Sequence, residues 1–122
     1  MQFTFFTLHC KDIEAMATWY RDIVGLEQNC DFDEFKGFIT PSGMFFNLVK
    51  RDNTLEFIQG VNGIISIGLG VPSHADVDVA YNLLIEGGAK PYKQAPETSG
   101  VFRDAYVTDP EGNVICITGV EE

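Results

Sequence analysis

The sequence predicts an α+β domain in which one β-α-β-β-β unit occurs twice. Three observations predict it. Two apolar stripes at helical spacing each follow a strand-like run, three extended segments follow each stripe, and two constant offsets superpose the halves. A shift of 61 carries Phe5 to Ser66, Tyr20 to Tyr81, Ile23 to Leu84 and Val24 to Ile85. A shift of 69 carries Pro41 to Pro110, Gly43 to Gly112, Asn47 to Cys116 and Leu48 to Ile117. The first module spans about residues 1–60 and the second about 61–122, together one domain over 1–122.

Taken in order, residues 1–9 form a β-rich run with little charge. Asp12 then caps a helix, and Glu14 suits its positive end. Ile13, Met16, Ala17, Tyr20 and Val24 make one apolar stripe before Gly25 stops it. Extended segments follow near 27–32, 35–40 and 44–50, the last two joined by the turn Pro41-Ser42-Gly43. Residues 55–59 read as a short strand or connector, and 60–63, with Gly60 and Gly63, as a joint. The second half repeats the programme. Residues 64–71 form a strand, and Ser73-His74-Ala75-Asp76 has the form of a capping box. Val77, Tyr81, Leu84 and Ile85 make the next stripe, ended by Gly87-Gly88. Segments 90–94, 101–107 and 114–118 complete the module, the last pair joined by Asp109-Pro110-Glu111-Gly112.

Composition narrows the function classes. With 122 residues the chain has room for one core and needs neither metal nor disulfide to fold. Apolar residues at 45% and charged residues at 21% are globular proportions, which argues against disorder. A formal charge of −10 repels phosphate backbones and anionic lipid heads, so nucleic acid and membrane surfaces are poor partners. The first residues lack the basic leader of a secretory signal, and no stretch is apolar enough to span a bilayer. Cys10, Cys30 and Cys116 are odd in number and have no CxxC spacing, so they read as reduced thiols. The expectation is a soluble, acidic, cytoplasmic protein.

Strand alternation sorts the residues of the four best-defined strands onto two faces. Phe6, Leu8, Phe46, Leu48, Ile65, Ile67, Leu69, Ile115 and Ile117 are all large and apolar and belong under the helices. The opposite parity mixes aromatic, small and polar groups: Phe5, Thr7, His9, Phe45, Asn47, Val49, Ser66, Gly68, Gly70, Val114, Cys116 and Thr118. That mixture suits the lining of a ligand cavity better than a core or a washed surface.

The segments LHCKDIEAMATWYRDIVGL (residues 8–26) and YVTDPEGNVICI (residues 106–117) resemble the vicinal oxygen chelate superfamily, which holds glyoxalase I, extradiol dioxygenases, fosfomycin-resistance enzymes and bleomycin-binding proteins. The first is similar to the helix that family ends on L-G, the second to its D-P-x-G hairpin. The resemblance implies two modules joined into an open, curved mixed sheet, helices outside and a concave site inside. It also implies pairing within the chain or across a two-fold dimer. Its enzymes hold a divalent metal with His, Gln or Glu on the first and fourth strand of each module. Aligned on this chain, those positions fall on Phe5, Asn47, Ser66 and Cys116. Phe has no donor, Asn and Ser are weak neutral ligands, and one thiolate does not hold a catalytic ion alone. The expectation is therefore no metal and no cofactor.

The remaining residues leave alternatives open. His9 is a general base, a polar ligand anchor, or a histidine bonded to a nearby carbonyl. His74 reads as a solvated helix-start residue, and Cys116 as a reactive thiol or a small pocket-lining cysteine. Trp19 completes the core or serves an interface. Asp31, Asp33 and Glu34 read as a solvated strand edge. Arg103 meets a ligand carboxylate or is neutralised by Asp104 on the outer face. The expectation is a homodimeric, metal-independent binder of an apolar, aromatic or cationic small molecule. Phe5, Thr7, His9, Phe45, Asn47, Ser66 and Cys116 line its site. One alternative is a glyoxalase-like lyase with a rearranged site using His9 and Cys116; another is a structural dimer without ligand.

Overall fold

The computed structural model describes residues 1–51, 66–93 and 95–122, and the chain divides into two units, Met1–Glu56 and Phe57–Glu122. The expected connector at 55–59, the joint at 60–63, and residues Ile64, Ile65 and Gln94 lie outside the described residues. Among the described residues each unit carries one α-helix and one open mixed sheet, the α+β arrangement the repeat predicts.

The first unit runs β1 (Phe5–Cys10), α1 (Ile13–Trp19), β2 (Glu27–Asp31), β3 (Phe35–Ile39) and β4 (Phe45–Lys50), in strand order β1-β4-β3-β2. β1 and β4 are parallel; the other pairs are antiparallel. Asp12 starts α1 by accepting a hydrogen bond from the Ala15 N–H at 3.1 Å. A π-helical turn, Tyr20–Val24, follows, and Gly25 ends it at φ 85°, where a residue without Cβ is unstrained. The wider turn changes the register of the apolar stripe. Ile13, Met16, Ala17 and Tyr20 are buried as expected, but Val24 is only half-buried and Trp19 is in the core. Tyr20 stands edge-on to Trp19 at 5.0 Å and to Phe46 at 4.8 Å, with Phe38 and Phe6 packed on the other sides of Phe46.

Lys36 is the feature that sequence reasoning missed here. Only 4% exposed, it reaches from β3 to Asp31 on β2, to the Phe32 carbonyl at 3.0 Å and to Glu14 on α1 at 3.0 Å. Its hydrogen bonds to Asp31 and then to Glu14 hold the ammonium pKa above its usual value. Asp31 is thus the partner of a buried cation rather than a merely solvated edge residue.

The second unit runs β5 (Ser66–Val71), α2 (His74–Glu86), β6 (Lys90–Pro91), β7 (Glu97–Ser99), β8 (Phe102–Thr108) and β9 (Val114–Val120), in order β5-β9-β8-β6 with β7 also on β8. β5 and β9 are parallel. The Ser73 hydroxyl caps α2, accepting from the Asp76 N–H at 3.2 Å and donating to the Asp76 carboxylate at 2.7 Å. Val77 and Leu84 are buried against the sheet; Tyr81 and Ile85 are half-buried. The expected strand at 90–94 is only two residues long: the Tyr92 N–H still reaches the Tyr106 carbonyl at 3.0 Å, but Lys93, at φ 63°, turns the chain out of the extended conformation. A separate short strand, β7, pairs with β8 instead.

The face under each helix follows the expected parity. Phe46, Leu48, Ile115 and Ile117 are buried. Phe6, Leu8, Ile67 and Leu69 have the same parity but are only half-buried; among the described residues β1 and β5 each pair with a strand on one side.

Candidate functional site

In each unit the sheet has a face away from its helix, and pairing register sorts that face into rows. In the first unit, Phe5, Phe45, Ile39 and Glu27 form one row and Thr7, Asn47, Gly37 and Cys30 the next. His9, Val49 and Phe35 form a third. Phe5 and Phe45 are 59% and 43% exposed, while Thr7, Asn47 and Val49 are half-buried. The middle row has a device that strand alternation did not reveal. A bulge in β2 between Gln28 and Cys30 brings the Asn29 Oδ1 over Gly37, only 2.9 Å from where a Cβ would sit. Gly37 therefore lets Asn29, Cys30 and Asn47 crowd one spot. The expected residues Phe5, Thr7, His9, Phe45 and Asn47 all lie on this face.

In the second unit the open face carries Ser66, Gly68 and Gly70 on β5, and Val114, Cys116 and Thr118 on β9. Thr108, Tyr106 and Asp104 on β8 complete it. Ser66 and Cys116 are where parity puts them. Val114 departs from the expected lining set because it is buried. A methyl group on Gly68 or Gly70 would meet no described atom within 4 Å, so the sheet surface beside Cys116 and Thr118 is open on its β5 side.

Tyr106, whose orientation the sequence leaves open, and Lys93, which it does not single out, are both placed at this face by the structure. Tyr106 pairs directly with Cys116 across β8 and β9, so the phenol and the thiol are neighbours on the open face. Pairing outward from the Asp109–Gly112 turn was the signal that would have placed Tyr106 there. Lys93 lies in the loop after β6 with φ 63°, an uncommon conformation for a residue with Cβ, and holds its Nζ 4.7 Å from the Tyr106 ring centroid. Burial pushes the Cys116 thiol pKa up; the neighbouring Tyr106 hydroxyl pulls it partly back. Cys116 raises the Tyr106 pKa in turn. Both groups are therefore neutral near pH 7, and the thiol is a poor nucleophile.

Arg103 is not on this face. It has the helix-side parity and makes a bidentate pair with Asp78 of α2, at 2.9 and 2.7 Å, plus a bond to the Thr98 hydroxyl at 2.8 Å. Its neighbour Asp104 points the other way and does not neutralise it. His74 is not merely a solvated helix start: one ring nitrogen lies 2.8 Å from the Val101 carbonyl oxygen, the other 3.1 Å from Glu121.

A family model described as a glyoxalase-like domain matches residues 5–118. The chain belongs to that family. Its place in the vicinal oxygen chelate superfamily agrees with solved structures of the same fold. A glyoxalase/bleomycin resistance protein/dioxygenase family enzyme from Burkholderia phytofirmans PsJN superposes with TM-score 0.86 at 21% identity, over 99% of this chain and 100% of that one. A glyoxalase-related enzyme from Fulvimarina pelagi gives 0.80 at 18%, over 97% and 87%. A lactoylglutathione lyase from Agrobacterium tumefaciens gives 0.73 at 18%, over 95% and 91%. At these identities the likeness is one of fold. Comparison with curated proteins finds no match.

The superfamily's enzymes use a divalent metal, so the residues at the corresponding positions of each glyoxalase-like sheet have to be weighed as donors. In the first unit they are Phe5, which has no lone pair to give, and Asn47, a neutral amide. In the second they are Ser66 and Cys116, the latter a protonated thiol. These donors do not fit a divalent ion. Among the described residues, no group of three or more His, Cys, Asp or Glu side chains is placed to hold one.

Proposed function

We propose that this glyoxalase-like protein is a metal-independent binder of a small organic molecule, held on the open sheet faces by shape, aromatic contact and neutral polar groups. One observation carries the proposal: the open-face positions that hold metal ligands elsewhere in the superfamily here carry a phenyl ring, an amide, a hydroxyl and a thiol. Half-exposed Phe5 and Phe45 offer an apolar body surface, and Thr7, Asn47 and Ser66 offer hydrogen bonds. The net charge of −10 favours neutral or cationic ligands at long range. The raised thiol pKa of Cys116 speaks against the lyase alternative, which needs a reactive thiolate beside a base.

The proposal includes a homodimer in a reducing cytoplasm, supported by three free cysteines and by open sheets whose edge strands a second copy would protect. Light scattering after size exclusion tests the dimer. A thermal-shift screen of uncharged, cationic and anionic aromatic compounds tests the binding, with each hit repeated on Phe45→Ala and Gly68→Val. The expected result is a stabilising compound whose effect shrinks in at least one variant. Tight 1:1 binding of Zn, Ni, Mn or Fe in a calorimetric titration would overturn the metal-independent reading.

A further inference from the structure

Three polar groups converge on one spot of the second unit's open face. Tyr106 and Cys116 are direct neighbours across β8 and β9, and the Lys93 ammonium lies over the Tyr106 ring. Beside them Gly68, paired directly with Cys116, leaves the β5 side of the row open. Among the described residues Lys93 makes no ion pair. Its left-handed backbone is a local strain, of the kind a fold retains where it fixes a side chain for use. The same arrangement rules out the opposite chemistry at this spot, because the ring face that would attract a ligand cation is already covered by the protein's own ammonium.

We propose that Lys93, Tyr106 and Cys116 form a subsite for a single carboxylate group of the ligand, which lies over Gly68 with its oxygens toward Lys93 and the phenol. This assignment rests on the small-molecule reading above and names the group recognised. The ammonium supplies a charge-assisted donor, the phenol O–H donates to the incoming oxygen, and the thiol is a further weak donor. Asp104, on the same face two residues from Tyr106, sets the limit on charge. Lys93 attracts a single carboxylate at short range, against Asp104 and against the long-range preference for neutral or cationic ligands that the net charge of −10 sets. A phosphate dianion is repelled by Asp104 and by the acidity of the whole chain.

The test is an amide NMR titration of the full chain with benzoate, benzyl alcohol, benzylamine and phenyl phosphate at constant ionic strength. Benzoate is expected to shift the amides of Gly68, Tyr106 and Cys116 saturably, more tightly than the other three. Lys93→Met should weaken benzoate about tenfold, the worth of one charge-assisted hydrogen bond, while Lys93→Arg keeps most of the affinity. Lys93 is exposed, so neither variant threatens the fold. Unchanged benzoate affinity in Lys93→Met, or stronger shifts at these amides with benzylamine, would overturn the assignment. If none of the four probes shifts these amides while the thermal screen yields a ligand, the carboxylate subsite is wrong and the binding reading stands. If the screen is also blank, both fall.

Discussion

Gly119 and Gly68 lie in the same sheet, yet the same substitution at the two should change stability in opposite directions. Gly119 faces α2. A Cβ there would sit 2.6 Å from the carbonyl oxygen of Ser73 and 3.0 Å from its carbon and from Val77 Cγ2. Ser73 is the helix N-cap, so its carbonyl is fixed by the helix it starts, and Val77 is fully buried with nowhere to turn. Clearing even a 3.0 Å approach requires the helix start to retreat by about 0.4 Å, at the strain of an overpacked core, about 1–3 kcal/mol. The smaller unfolded-state entropy of Ala returns about 0.4–1 kcal/mol. Gly119→Ala should therefore lose about 1–2 kcal/mol, and its thermal midpoint should fall by about 4–8 °C for a chain of this length. Gly68→Ala meets open space, keeps the entropic gain and should hold or raise the midpoint by up to about 4 °C. Calorimetry on both variants reads the difference. If Gly119→Ala melts with the parent protein, or if both variants shift in the same direction, the close packing of α2 on β9 is misjudged.

Other outcomes follow from single contacts. Asp109 is buried and accepts hydrogen bonds from the Glu111 and Asn113 N–H groups and the Asn113 side-chain amide, so Asp109→Ala should cost about 1–3 kcal/mol in urea unfolding. The Arg103 hydrogen bonds hold the Asp78 carboxyl below its usual value. Its stabilisation is thus present above pH about 4 and is lost as pH falls through the folded value, so Asp78→Asn should be less stable than the parent at pH 7 and match it in strong acid. A constant difference across that range would contradict the ion pair. The raised Cys116 thiol should alkylate with iodoacetamide at a rate still climbing above the pH of a free cysteine, and Tyr106→Phe should push that profile higher still. A Cys116 profile centred near pH 7 would show a reactive thiolate instead.

The sequence by itself determined the doubled β-α-β-β-β plan, both helix starts and the parity of β1, β4, β5 and β9. These rest on local rules: alternation in a strand, spacing in a helix, side-chain oxygens at Asp12 and Ser73. Its list of candidate site residues follows from the same parity, and pairing places them all on faces away from the helices. Contacts between elements distant in sequence needed the tertiary structure. Arg103 goes under α2 because Asp78 waits there, 25 positions earlier in the chain. Lys36 is buried because Asp31 and Glu14 approach it from two different elements, and charge counting along the chain read that region as solvated. Lys93 reaches the Tyr106 ring only through a left-handed turn that no spacing pattern announces. Local propensities have short range, whereas a side chain's partner is chosen by which strand lies beside it. Only the folded sheet supplies that neighbour.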